Sequence, residues 1–465
     1  MTKFGKILIF GVIVTTLVAA VFLVWFLNTT KKITTYEECI KAGWLVRSRS
    51  IADSLPLFLN KYECVLWSGK SFEKYEEKQA VPALVPQNML ITDKEESDNE
   101  PSVAKALEGE KIKKIISDAV NWLKQSQESN GHFRYEYSPV SDTYLMGDLT
   151  VRQTGALYVL GEILRKDKDN KYNLKNTVEN ALAYFKKNSE TGEFNGYQFN
   201  CILRSQGKCS LGAVSLGLVG ALDLIKVYPK LENTYKDTIA DYLNFILAMK
   251  NPDEGFKWLY YLEEEQPKTE SAFSNGEALL ALVRYYKYNP TKEVKVVIDN
   301  AFSYFNTKYS NAWDYNFYLW GMSAIKDLYK IEPKKEYFEF TKAYTDWRIS
   351  SYRDRRDSIG NKCAYIEGVI SAYSVLEPNI TKKEKDYYLE EINFWLAKSK
   401  ELQVKDGVIT LRFGDKDYDL NLPRPERAQG GFLTGLDKLS QRIDFTQHCL
   451  SSYLQKQVDI DKKSL

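Results

Sequence analysis

From Lys111 to the C-terminus, apolar residues return at helical spacing in segment after segment, and every second segment is apolar nearly all the way round. The pattern predicts helices over about 108–127, 151–166, 174–188, 210–227, 231–250, 274–288, 291–308, 316–330, 335–351, 362–376, 381–401 and 443–456, with no clear run of alternating strand residues between them. The even members of that series, at 156–161, 211–218, 276–282 and 367–372, are rich in Gly, Ala and Ser, whereas 173–189 and 291–309 carry a lysine-rich polar face. A helix apolar on every side must be packed on several sides. Small-residue helices ringed by amphipathic ones, paired as six hairpins, describe an all-α fold, an (α/α)6 toroid.

The loops that enter the inner helices are aromatic: 131–137, 192–197, 253–258 and 430–432 each place Phe immediately or one residue after Gly. This is a degenerate internal repeat of nearly one copy per hairpin. All of these loops precede an inner helix, so they gather at one mouth of the ring, where helix N-termini favour anionic groups. Phe133, Tyr137, Phe256, Trp258 and Phe432 are therefore candidates for an aromatic wall of the kind that stacks on sugar rings, although most aromatics in any chain are core.

Residues 7–27 form a run of about 21 uncharged residues, long enough to cross a bilayer and longer than a secretory h-region, with no clear small-x-small cleavage site. They are expected to be an uncleaved signal-anchor, a single transmembrane helix within 1–32. Its flanking lysines balance, so charge alone does not orient it. Residues 33–75 read as a small module with Cys39 and Cys64, 76–107 as a linker with Pro82, Pro86, Pro101 and an acidic patch, and 108–465 as the toroid. Cys201 and Cys209 flank a short polar loop, and Cys449 is placed to bond Cys363. Cysteines that pair this way suit an oxidising compartment, so the body is expected to be extracytoplasmic on the cell membrane, in the cell envelope.

Lys+Arg 64 against Asp+Glu 62 leaves a formal charge of +2, which gives no field for nucleic acid. No Cys-x-x-Cys, His-Glu-x-x-His, phosphate loop, Gly-x-Ser-x-Gly or dinucleotide fingerprint occurs, so no metal and no cofactor is expected.

Two resemblances add to this reading. Cys39-Ile40-Lys41-Ala42-Gly43 with Cys64-x4-Gly69-Lys70-Ser71-Phe72 resembles a short two-cysteine motif found beside the membrane in exported bacterial and archaeal proteins, which implies a disulfide-closed spacer. The hairpins with their Gly-Phe loops, the segment 152–158, the segment 276–282 and the closing 442–448 together resemble the six-hairpin glycosidase-like superfamily. That resemblance implies a carbohydrate polymer as partner, and a glycoside hydrolase or a polysaccharide epimerase or lyase as activity.

Hydrolysis needs two carboxyls, one to protonate the leaving oxygen and one to act on water or the anomeric carbon. Glu277, Glu367 and Asp444 stand in or at the start of otherwise apolar inner helices, where an unpaired carboxylate is costly. Helix capping or a buried ion pair is the competing reading for each. Asp148 precedes another inner helix, one turn from Arg152. Asp444 and His448 are four apart, which puts carboxylate and imidazole on one helix face, and His448 is the better acid/base of the two histidines. An epimerase or lyase would instead need a Tyr or His base and arginines for a sugar acid, types supplied by Tyr137, Arg134, Arg152 and Arg442. A non-catalytic envelope scaffold or glycan-binding toroid stays open beside both.

Overall fold

The structure, a computed structural model, describes residues 45–50, 59–65 and 71–77 and, from 109 to 465, all but 146, 206, 267–268, 354–355 and 415. The expected anchor, the linker beyond Glu77 and Cys39 lie outside the described residues, and with Cys39 the expected Cys39–Cys64 bridge; residues 76 and 77 of the expected linker belong to a strand. Among the described residues, no helix is long and apolar enough to cross a membrane. The chain divides into two units. The first holds a three-stranded antiparallel sheet, β1 (Leu45–Ser50), β2 (Leu59–Val65) and β3 (Ser71–Glu77), with Cys64 of β2 opposite Val46 and Phe72.

The second unit contains twelve long helices among its described residues: α1 (Gly109–Ser126), α2 (Thr150–Lys166), α3 (Lys175–Lys187), α4 (Leu211–Val227), α5 (Glu232–Ala248), α6 (Ala272–Tyr288), α7 (Lys292–Asn311), α8 (Tyr315–Ile331), α9 (Lys335–Arg353), α10 (Cys363–Leu376), α11 (Lys382–Glu401) and α12 (Ile443–Gln455). The inner helices behave as their composition demands. α4 is buried without interruption from Leu211 to Ile225, and α2 from Gln153 to Leu164. α3 buries only the stripe Thr177, Val178, Ala181, Leu182 and Phe185, the single face of an outer helix. Each of α2, α4, α6, α8, α10 and α12 packs on the next, and α12 packs back on α2, which closes the ring. Close approach is bought by small residues: at Gly220 of α4 a β-carbon would run into the Leu157 side chain, and at Gly276 of α6 into the Trp320 backbone.

The recurring Gly-Phe loops have a structural use. Phe133, Phe256 and Phe432 are fully buried, and each pairs with the end of the preceding outer helix at Gln127, Lys250 and Gln403. The backbone N–H of each donates to the fourth residue of the following inner helix: Gln153 Oε1 at 2.9 Å, Asn275 Oδ1 at 3.1 Å and Thr446 Oγ1 at 3.0 Å. Gly131 and Gly430 are needed there because both take a positive φ and press against a carbonyl of a neighbouring outer helix.

The expectation of no strands fails in the loops. β4 (Glu136–Ser138) and β5 (Thr143–Leu145) form a sheet with β12 (Gln441–Arg442). β6 (Ser189–Phe194), β7 (Tyr197–Ser205), β8 (Lys208–Ser210) and β9 (Leu259–Tyr261) form another, and β10 (Val408–Phe413) pairs with β11 (Lys416–Asn421). The β6–β7 turn is Asn195-Gly196, both at positive φ, the hairpin dipeptide whose twist suits antiparallel strands.

Both expected bridges of the toroid form: Cys201–Cys209, within the β6–β9 sheet, and Cys363–Cys449, between α10 and α12. The C-terminal end of the ring is closed by charge. Arg284 of α6 contacts Glu162 of α2 at 2.8 Å, Asp223 of α4 at 3.5 Å and Asp327 of α8, while Arg165 reaches Asp223 at 2.6 Å. Burial alone would push the Glu162 carboxyl up, but Arg284 and its neighbours bring it down to about 2.

Candidate active site at the mouth of the toroid

The opposite end of the ring, at the N-termini of the inner helices, collects four candidate side chains. Glu277, Trp320 and His448 are each the sixth residue of their helix and Glu367 is the fifth, so α6, α8, α10 and α12 present them in one layer. α6 and α12 lie three places apart in a ring of six and therefore face each other across its axis, as do α2 and α8. Tyr158 of α2 meets Trp320 of α8 edge-on across that axis, ring centroids 5.2 Å apart, and Trp320 lies 5.8 Å from the His448 ring. These two aromatics meet inside the ring, beside His448.

Glu367 is 0% exposed, and its Oε2 lies 2.7 Å from His448 Nδ1. A carboxylate only accepts, so Nδ1 carries the hydrogen and Nε2 is left to take or give a proton. Gln447 Nε2 stands 3.2 Å from the same Nδ1, donor beside donor in this tautomer, and so is a contact rather than a second hydrogen bond. Among the described residues the other oxygen of Glu367 is buried without a partner, which leaves the imidazole as the group its carboxyl meets. This corrects the expected Asp444–His448 pair: the carboxylate on the imidazole comes from α10, across a helix interface that the Cys363–Cys449 bridge also ties.

Glu277 is 4% exposed, and burial raises its carboxyl to about 8, against a hydrogen bond with Ser274. The carboxyl lies against the first turn of α4, where a β-carbon at Gly212 would occupy the same space. At neutral pH it is a protonated, neutral acid.

Asp444 is clamped instead between two guanidiniums, at 3.1 Å from Arg152 Nε and at 3.0 and 2.5 Å from Arg442. Both arginines lie over the Tyr135 ring, at 5.4 and 5.3 Å from its centroid. Strand pairing fixes Arg442 there, and α2 brings in Arg152: β12 sets Arg442 opposite Glu136, and Ile443 donates its N–H to the Tyr135 carbonyl at 3.1 Å. Burial pulls the Arg152 guanidinium below its ordinary value, against Asp444. Asp148 does not pair with Arg152; it holds His132 at 2.9 Å and Gln153 at 2.9 Å.

Other expected binding residues are spent elsewhere. Phe256 and Phe432, like Phe133, are core and present no stacking wall, because their backbones anchor the loops to the inner helices. Tyr137 is buried with its hydroxyl on Asp142 Oδ1 at 2.9 Å, and Arg134 donates to the Gln125 carbonyl at 2.8 Å and lies over Tyr144. Trp258 alone keeps a partly open ring, flanked by Arg204 at 5.0 Å and donating to Thr269 at 3.0 Å. Tyr135, Trp320 and Gly212 are missed by sequence reasoning. For Trp320 a signal exists, since it occupies the same sixth helical position as Glu277 and His448.

No protein-family profile and no curated relative matches the sequence. Solved structures match the fold. An alpha-1,6-mannanase of glycoside hydrolase family 76 from Salegentibacter sp. HEL1_6 aligns with TM-score 0.53 at 11% identity, over 76% of this chain and 100% of its own. Cellobiose 2-epimerase from Bacillus thermoamylovorans B4167 aligns with TM-score 0.52 at 11% identity, over 74% and 98%. A D-mannose isomerase gives TM-score 0.52 at 11% identity, over 77% and 98%. A variant of the mannanase with two consecutive aspartates replaced by alanine is described as inactive, in complex with alpha-1,6-mannotetrose. These structures share with this chain the (α/α)6 toroid fold.

Proposed function

We propose that the toroid is a carbohydrate-active enzyme that moves a proton at a sugar carbon next to a carbonyl group, as an epimerase or lyase does. The observation that carries this reading is an imidazole base, His448 held by Glu367, and a neutral carboxylic acid, Glu277, in one layer on helices that face each other. In an epimerisation His448 Nε2 takes the proton from one face of the carbon and the C–H electron pair passes toward the carbonyl oxygen. Glu277 delivers its proton to the other face as that pair returns, and solvent restores both groups. In a lyase the same electron pair expels the β-oxygen, which Glu277 protonates.

Hydrolysis is less well served. Of the three candidate carboxyls, Glu367 is committed to His448 and Asp444 to two arginines, which leaves Glu277 without a second carboxylate to activate water. The 465 residues also contain no two consecutive aspartates, the pair whose loss accompanies inactivity in the mannanase variant.

Incubation of the full-length protein in D2O with a panel of polysaccharides tests this. Deuterium at a sugar carbon, or absorbance of an unsaturated sugar, is expected, and both His448→Gln and Glu277→Gln should abolish it. New reducing ends without either signal would establish a hydrolase and overturn the proposal. Residues 7–27 are proposed as a membrane anchor with the toroid outside the cytoplasm, a reading supported by the two disulfides of the toroid.

A further inference from the structure

Asp444 is a single carboxylate shared by two guanidiniums, so the Arg152–Asp444–Arg442 cluster itself carries one net positive charge at the mouth, with Glu136 the next acidic residue, opposite Arg442 in the strand pairing. Arg152 meets Asp444 most closely through Nε, at 3.1 Å, while Arg442 takes both carboxylate oxygens, at 3.0 and 2.5 Å. Neither arginine is sealed in: their side chains are 32% and 21% exposed. Tyr135 lies under both planes and limits their orientation, which preserves the fork geometry that matches a planar carboxylate. The N-termini of α2 and α12, which carry these residues, add partial positive charge. Asp444 is also one helical turn from His448 on the same face of α12, about 5–6 Å between β-carbons. A group held by the arginines thus has its neighbouring atoms within reach of the imidazole.

We propose that Arg152 and Arg442 bind the carboxylate of a uronic-acid residue, so that the substrate is an acidic glycan. This rests on the reading of the mouth as a proton-transfer site and deepens it. The carbon next to that carboxylate is the one His448 would deprotonate, and the guanidiniums would hold the oxygens that receive the electron pair.

The test is calorimetric titration of the full-length protein with oligomers of galacturonate, glucuronate and mannuronate, each beside its carboxyl-reduced neutral counterpart, and with a sulfated neutral oligomer. At least one uronate oligomer should bind about 10- to 100-fold more tightly than its neutral counterpart, the worth of one charge-assisted contact. That preference should shrink as KCl rises, while binding of neutral sugar stays unchanged. Arg152→Gln and Arg442→Gln should each remove the preference and leave helical content intact, with Arg152→Lys falling between.

Equal binding of uronate and neutral oligomers, no binding of any uronate, or equally tight binding of the sulfated oligomer would overturn the proposal. Uronate binding without turnover would sink the enzymatic reading and leave this one standing. Turnover of neutral sugars alone would do the reverse.

Discussion

Glu277→Gln separates a buried neutral acid from an ordinary carboxylate through the pH dependence of stability. In the unfolded chain the carboxyl titrates near 4.5, and in the folded toroid near 8, raised by burial. Between those values the folded state holds a proton that the unfolded state has released, so wild-type stability falls as pH rises, by about 1.4 kcal/mol per unit. Below 4.5 both states are protonated and the residue has no effect; above 8 both are ionised and the penalty levels off near 5 kcal/mol. At pH 7 the loss is about 3 kcal/mol. Glutamine is neutral throughout and escapes it. With about 2.1 cal/mol/K of unfolding entropy per residue, a toroid of roughly 350 residues converts this to about 2 °C of Tm per pH unit. Thermal unfolding followed by circular dichroism from pH 4 to 9 should therefore show Tm of the variant minus Tm of the wild type climbing to about 4–5 °C at pH 7, then flattening above pH 8. A difference that is flat across the range, or that saturates below pH 6, would refute a protonated Glu277 and with it the acid role.

Gly212→Ala places a methyl group where the Glu277 carboxyl sits; it should lower stability by about 1–3 kcal/mol, and a thermal-melt double-mutant cycle should find most of that cost gone in a Glu277→Ala background. Arg284→Met leaves Glu162, Asp223 and Asp327 buried without their shared cation, so denaturant unfolding should register a loss of about 3–5 kcal/mol. The two bridges should differ in weight: the 86-residue span of Cys363–Cys449 is worth about 4–5 kcal/mol against about 2–3 for the 8-residue span of Cys201–Cys209, read from melts of the double-serine variants. Serine at 363 and 449 should also lower turnover, because that bridge ties the helices that carry Glu367 and His448.

The helical frame is legible in the sequence because burial on all sides leaves a compositional mark. Segment 211–218, with its Gly, Ala and Ser among aliphatics, cannot serve as an outer helix, and the structure buries all of it. The strands were hidden for the opposite reason. β4, β5 and β8 have three residues each, too short for an alternating pattern, and β12 has two. The Asn195-Gly196 turn was a usable sign of a hairpin, masked by the aromatic theme of its neighbours. That theme is itself ambiguous, since a Phe repeated after Gly at the start of inner helices looks the same whether its ring faces a ligand or the core. The difference lies in Gln153, Asn275 and Thr446, whose side chains capture the Phe backbone from the fourth helical position. Three different residue types do one job there, so no letter repeats to reveal it.

The pairing of the candidate site was illegible for a related reason. Spacing within one helix suggested Asp444 for His448, yet an i, i+4 step only makes two side chains neighbours, and each still takes the strongest partner in reach. For Asp444 that partner is a pair of arginines brought in by β12 and α2, and for His448 it is a buried carboxylate from α10. What decides is the contrast between the two ends of the ring. At the C-terminal end Glu162, Asp223 and Asp327 all converge on Arg284, and further cations flank them. At the N-terminal end a carboxyl is held neutral by burial, and two arginines share one carboxylate. A fold that pairs its buried carboxylates with cations at one end and leaves a carboxyl without one at the other concentrates the electrostatic cost where a ligand can relieve it.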